Sequence, residues 1–199
     1  MEPFEEDLRA RGVVRPAGLD EVGRGALFGP VLAGAVILDP ARPIDGLNDS
    51  KRLSRRQREA AFGAIAERAV DWAVGLASAP EIDRINILQA THLAMRRALA
   101  GLRHRPDHLL VDALEIEAVE FEQTPIVKGD ARCESIAAAS IVAKCARDAL
   151  LAGYGRAIRG YGLSQNMGYG TEEHRAAIMR LGFSDCHRKT FRVQGTLPF

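Results

Sequence analysis

From Val13 to Val22 apolar residues run up to Gly18-Leu19-Asp20-Glu21-Val22 and halt at a glycine-rich turn, Gly23-Arg24-Gly25. A second stretch, Pro30 to Leu38, is almost continuously apolar. Runs of this length bounded by turn residues predict buried strands, and their closeness predicts a hairpin. Asp39 to Asp49 is rich in Pro, Gly and Asp and reads as a loop. Ser54 is placed to cap a helix over 55–69, and Val70 to Ala77 reads as a strand. Pro80-Glu81-Ile82-Asp83 opens the next helix, with proline in the first turn and acids at the positive end of the dipole. Behind it Ile85, Leu88, His92, Met95, Leu99 and Leu102 recur at spacings of three and four. They predict one apolar face, on which His92 is a packed histidine rather than a ligand. His108 to Asp112 and Thr124 to Asp130 read as short strands, each ending on a carboxylate. Ser135 to Leu151 predicts a helix built on small residues, Ala137-Ala138-Ala139-Ser140, which can lie close to a sheet. A last helix is predicted over 171–181, and 182–199 lacks periodicity.

Strands and helices alternating after a hairpin predict an α/β domain, a mixed β-sheet flanked by helices with a C-terminal helical segment. No repeat or low-complexity linker interrupts the chain. The expectation is one domain over residues 1–199, with a core about 14–182 and a loosely attached C-terminal segment, 183–199.

The 47% apolar and 27% charged content of the 199 residues is that of a folded chain and excludes a disordered one. No apolar run reaches the roughly 18–20 residues of a membrane span. The acidic start, Met1 to Asp7, is unlike a secretory leader. Cys133, Cys145 and Cys186 are an odd count without a C-x-x-C pair. That argues against a disulfide framework or a zinc ribbon and for free thiols in a reducing cytoplasm. The net charge of +1 is unevenly spread: residues 1–130 hold 17 Lys/Arg against 21 Asp/Glu, and 131–199 hold 10 against 5. An acidic centre beside a basic face suits an enzyme that uses metal ions on a polyanion.

Asp20, Glu21, Asp112 and Asp130 each fall at or near a predicted strand end. Buried there, they would be costly unless paired or metal-bound. Hard oxygen ligands favour Mg²⁺ or Mn²⁺, and the lack of a Cys/His cluster disfavours zinc. Two such ions about 3.5–4 Å apart can hold the attacking water and leaving oxygen of a phosphodiester. Spacing alone leaves open whether the acids converge or are unrelated surface groups. Adjacent Asp20 and Glu21 would point to opposite faces of a regular strand, so both can ligate only where the strand bends or ends. The glycines of Gly23-Arg24-Gly25 allow close backbone approach, with Arg24 able to reach a phosphate. Asp49-Ser50-Lys51-Arg52, just before a helix, could hold a phosphate or simply cap the helix.

Several segments together resemble the type 2 ribonuclease H family, in its bacterial HII branch. They are Gly18 to Gly25, Gly29-Pro30-Val31, Asn48-Asp49-Ser50-Lys51, Lys128-Gly129-Asp130 and Ser135 to Lys144. Arg147-Asp148, Gly168-Tyr169-Gly170-Thr171 with His174, and His187-Arg188 with Phe191 complete the set over roughly residues 16–192. The resemblance implies a ribonuclease H-like fold and an endonuclease that cuts the RNA strand of RNA–DNA hybrids. It implies cleavage 5′ of single ribonucleotides in duplex DNA, leaving a 3′-hydroxyl and a 5′-phosphate, with roles in ribonucleotide excision repair and DNA replication. By the same resemblance Asp20, Glu21, Asp112 and Asp130 would bind two Mg²⁺ or Mn²⁺ ions. Gly23, Arg24 and Gly25 would recognise the ribose 2′-hydroxyl, the group that distinguishes RNA from DNA. Tyr169 would stack on the next sugar, and Ser50 and Lys51 would hold backbone phosphates. Ser135 and Lys144 match the family's helix, with a structural or phosphate-side role.

Two departures stand out. Ala113-Leu114 follow Asp112 where relatives often carry Gly-Asn, and Met167 stands where many carry Lys, so one phosphate contact does not carry over. Gln194 to Phe199 forms a Q-x-x-L-x-F pattern similar to peptides that dock on the bacterial sliding clamp. The alternative, that Leu197 and Phe199 fold back onto the core, is the one favoured. No dimerisation stripe stands out, so a monomer is the default. Two other readings remain: a different ribonuclease H-fold nuclease such as a junction resolvase, and a catalytically silent hybrid-binding protein. The first has no use for a 2′-hydroxyl reader, and the second would be expected to lack one of the four acids.

Overall fold

Strands β1 (Pro16–Val22) and β2 (Val31–Ile37) pair antiparallel, with Leu19 opposite Ala35 and Asp20 opposite Gly34. The structure is a computed structural model that describes residues 1–191. Strand β3 (Asp71–Ala77) continues the antiparallel meander beyond β2, while β4 (His108–Asp112) and β5 (Gln123–Ile126) add in parallel on the other side of β1. The sheet order β3-β2-β1-β4-β5 is the expected mixed sheet, and β1 lies at its centre.

Helix α3 (Ala79–Gly101) covers one face, packing Ile82, Ala90, Ala94, Met95 and Ala98 on Leu19, Ala33, Ala35 and Ile37. Helices α2 (Arg55–Arg68) and α4 (Glu134–Ala157) cover the other, where Ile65 and Ala137 to Val142 meet Val36. The small residues of α4 serve the expected purpose. A Cβ on Gly18 or Gly34 would sit inside the backbone of Ser135 or Ala139, so helix and sheet meet backbone to backbone. Gly75 makes the same approach to α3. Helices α2 and α3 both start from local chemistry. Ser54 and Gln57 form a reciprocal capping box, and so do Ser78 and Glu81.

Four expectations are corrected. The apolar stripe of α3 is broken at Asn86 (φ 66°, ψ 167°), whose side chain accepts from the Leu88 and Gln89 amides and starts a fresh helical phase. Leu88 is therefore 44% exposed, whereas His92 is packed as expected and its Nδ1 accepts the Glu117 amide at 3.1 Å. Strand β5 ends at Ile126 rather than running to Asp130. Lys128 turns left-handed (φ 57°), and Asp130 sits in the short 3-10 turn Gly129–Ala131.

The N-terminus, expected only to be acidic, forms helix α1 (Phe4–Ala10). Its buried Glu5 accepts the Ser135 amide at 2.7 Å and so caps α4, whose own N-cap, Cys133, makes no side-chain cap. Finally, residues 183–191 are firmly attached rather than loose. Beyond the short helix α5 (Leu163–Asn166) and α6 (Glu172–Leu181) this segment carries no helix, but His187 and Arg188 in it are buried. The Gln194–Phe199 pattern lies outside the described residues. Cys133, Cys145 and Cys186 are free thiols, as expected. Among the described residues no helix is long and apolar enough to cross a membrane.

Candidate active site

Leu19 of β1 is level with Val111 of β4, so the next residues, Asp20 and Asp112, lie together at one end of the two central strands. Strand alternation turns both toward α4, the side on which Gly18 underlies Ser135 and Leu110 packs on Ile136. Glu21 takes the opposite parity. β1 does not end at this pair: it stays on β2 through Val22, but its pairing with β4 stops at Leu19, so the acids stand where β1 and β4 cease to pair. Asp130 arrives from the turn after β5, and the amide preceding it, of Gly129, donates to Asp112 Oδ1 at 2.7 Å. Lys51 Nζ reaches Asp130 Oδ2 at 3.3 Å from the loop before α2.

These acids feel one another. Burial pushes the Asp20 carboxyl well above the usual range, and the Glu21 charge adds to it. A hydrogen bond from Ser140 pulls the other way, and the Asp112 charge then adds a further upward push. Glu21 is raised by burial, against the pull of Arg24, whose Nη1 lies 3.1 Å from Oε1. Asp112 is raised by burial, opposed by the Gly129 amide and reinforced by Asp130. Partial burial works against the Lys51 charge, but attraction to Asp130, then Asp49 and Asp20, carries its pKa above the ordinary value. Asp49 is thus a fifth acid within electrical reach, and its Oδ1 accepts the Lys51 amide.

Among the described residues no three of these side chains are gathered as a metal-holding group. Each has its own partner: Lys51 meets Asp130, Arg24 meets Glu21 and the Gly129 amide donates to Asp112. The donor set nevertheless fits a hard divalent cation. Every candidate ligand is a carboxylate oxygen. Among the described residues Glu21 Oε2 is buried with no hydrogen-bond partner, an orphan that a cation would satisfy.

The glycine loop after β1 is built by two buried arginines. Gly23 is left-handed (φ 88°), and a Cβ on it would strike the Arg147 side chain of α4. Arg147 also donates to the Met167 carbonyl at 2.9 Å and lies over the Tyr169 ring at 5.3 Å. Arg188 donates to the Gly23, Arg24 and Gly29 carbonyls. Gly25 differs: among the described residues a Cβ there would meet nothing within 4 Å, so no packing demand from them explains the glycine.

Tyr169 is 37% exposed at the rim, and its carbonyl is met by His174 Nδ1 at 2.9 Å. His174 in turn faces His187 across 3.2 Å, nitrogen to nitrogen, and His187 Nδ1 accepts the Ser184 amide. That pattern makes both rings neutral, with the His187 Nε2 proton donated to His174. Burial and the neighbouring His174 push His187 down to about 4.

Asp20, Glu21, Asp112 and Asp130 are brought within electrical reach with Lys51, while Gly23 and Tyr169 share Arg147. Arg24 spends its charge on Glu21 but keeps a side chain 43% exposed. Ser50 differs from expectation in that its hydroxyl is buried, 2.9 Å from Ser140 Oγ rather than turned outward. Arg147 and Arg188 were visible in the sequence as motif members without a role. The one available signal was a lone arginine on the small-residue face of α4, at Ser140 plus seven.

The architecture defines a class. It is the ribonuclease H-like fold: the ribonuclease H2 of Pyrococcus horikoshii OT3 superposes with a TM-score of 0.72 at 27% identity, over 89% of this chain and 94% of that one. Two more distant solved chains share the fold. One is ribonuclease HII of Archaeoglobus fulgidus in complex with PCNA (TM-score 0.73, 22% identity, 92% and 98% covered). The other is Bst-RNase HIII in complex with Mn²⁺ (0.69, 22%, 85% and 63%).

Residues 17–194 match the family model described as Ribonuclease HII, and the chain belongs to that family. Relatives named Ribonuclease HII include those of Moorella thermoacetica, 50% identical over 95% of this chain and 92% of its own length, and Roseobacter denitrificans, 52% identical over 92% of each. Membership makes it an enzyme, a ribonuclease H that hydrolyses RNA in RNA–DNA hybrids. The junction-resolvase and silent-binder readings fall away.

Proposed function

We propose that the enzyme cuts the RNA strand of hybrids and also cuts 5′ of single ribonucleotides embedded in duplex DNA, leaving a 3′-hydroxyl and a 5′-phosphate. The observation that carries this reading is that Asp20 and Glu21, desolvated and repelled by Asp112, stand with the orphaned Glu21 Oε2 directly before a glycine loop open on its outer side among the described residues. Desolvated carboxylates cost a fold on the order of several kcal/mol each, a burden that structure alone does not require at a strand end.

Asp20, Glu21, Asp112 and Asp130 would hold two divalent ions, Mg²⁺ or Mn²⁺. Bound there, such ions supply an activated water and a stabilised leaving 3′-oxygen. The remaining work is done by the chain. The Ser50–Ser140 pair keeps Asp20 in place from beneath. Lys51, with a side chain 77% exposed, is set to leave Asp130 for a backbone phosphate. Gly25 admits the ribose closely enough for backbone contact with its 2′-hydroxyl, the feature absent from DNA. Tyr169, braced on Arg147, presents its ring to the next sugar, where a deoxyribose fits.

Asp112→Asn tests the acid assignment. It keeps the Gly129 hydrogen bond but removes a charge, so hybrid binding persists while kcat falls by at least roughly a hundredfold. Wild-type cleavage by this variant would show that Asp112 is not part of the catalytic centre.

A further inference from the structure

Arg188 is fully buried, and all three guanidinium nitrogens donate to backbone carbonyls: Nε to Gly29 at 3.0 Å, Nη1 to Arg24 at 2.7 Å and Nη2 to Gly23 at 2.7 Å. Its own position is fixed on both sides. Its amide donates to the Leu27 carbonyl, and the next two amides, of Lys189 and Thr190, donate to Asp83 at the start of α3. Burial, then the nearby Arg147, lowers its pKa to about 9, which leaves it charged at neutral pH.

A buried guanidinium is a costly way to hold a turn. What it sets is direction. In a trans peptide the carbonyl and the following N–H point opposite ways. With the Gly23 and Arg24 carbonyls drawn inward, the amides of Arg24 and Gly25 face outward, on the side where Gly25 meets open space. We infer that Arg188 is a positioning residue for ribonucleotide recognition, holding two carbonyls of the glycine loop inward so that the Arg24 and Gly25 amides are presented to the ribose 2′-hydroxyl. The inference rests on the proposal that this loop contacts that hydroxyl.

The test compares binding of a DNA duplex carrying one ribonucleotide with binding of the same all-DNA duplex, in an Asp112→Asn background that leaves both uncut. The parent prefers the ribonucleotide duplex. Adding Arg188→Gln, which can satisfy at most two carbonyls, cuts that preference at least fivefold while all-DNA binding stays within twofold. Arg188→Lys keeps the charge with poorer geometry, and loses at least twofold of the preference. It is the variant to read if the glutamine protein does not fold. A folded variant with the parent's preference overturns the inference, as does equal weakening on both duplexes, the mark of a purely structural role. A parent without any preference overturns the loop assignment itself.

Discussion

Ala113 follows the candidate ligand Asp112 with a left-handed backbone (φ 57°), donating its amide to Ile126. That conformation costs an alanine about 1–2 kcal/mol, of which glycine's greater unfolded-state freedom gives back part. Ala113→Gly should therefore raise stability by about 0.5–1 kcal/mol. Urea unfolding with an unchanged m-value would show it, and a loss of stability would mean the turn is not left-handed. The sequence marked this position as a departure from the family's Gly-Asn, but only the backbone explains why glycine suits it. The roles of other residues were hidden for a different reason. Ser50, Arg147 and Arg188 act on partners 90 to 165 positions away, and no local pattern reports such contacts.

At the scale of elements, α4 and the sheet are in backbone contact because two strand positions have no side chain. Gly34→Ala places a methyl against the Ala139 carbonyl in the middle of the molecule, and should destabilise by about 1–3 kcal/mol or more. Gly63 is the counterpart. It lies inside α2 with open space around it, so Gly63→Ala should stabilise by about 0.5–1 kcal/mol. Melting both variants beside the parent checks the pair, and similar shifts would contradict the packing. The hairpin, β3, β4, α2 and α6 were legible because apolar runs and caps are local signals. The kink at Asn86 was not, since a single left-handed residue breaks the stripe without disturbing its spacing in the sequence. The turn that carries Asp130 was hidden likewise behind the strand-like run 124–127.

Across the whole molecule the candidate site joins β1, β4, the turn after β5, the loop before α2 and the strap 183–191, which meets the glycine loop through Arg188. Sequence order supplied the acids; the parallel pairing of β1 with β4 puts two of them side by side. The strap's attachment also makes stability depend on pH. The His187 pKa is held down at about 4, below the ordinary 6.5, so the unfolded chain binds the extra proton first as pH falls. Its contribution is whole above about 6.5 and is lost as pH drops through about 4. His187→Asn should thus show a shallower loss of stability than the parent between those values, read by denaturant titration at each pH. Parallel curves would show that the His174–His187 pair does not bear on acid sensitivity.

The proposed enzyme couples a metal-dependent acid centre to a reader of one 2′-hydroxyl. Cleavage of a DNA duplex with one embedded ribonucleotide, in Mg²⁺ and in Mn²⁺ beside an all-DNA duplex, tests it most directly. A single metal-dependent cut 5′ to the ribonucleotide, and none in all-DNA, is expected. Equal cutting of both duplexes, or cutting undiminished by a chelator, would contradict it.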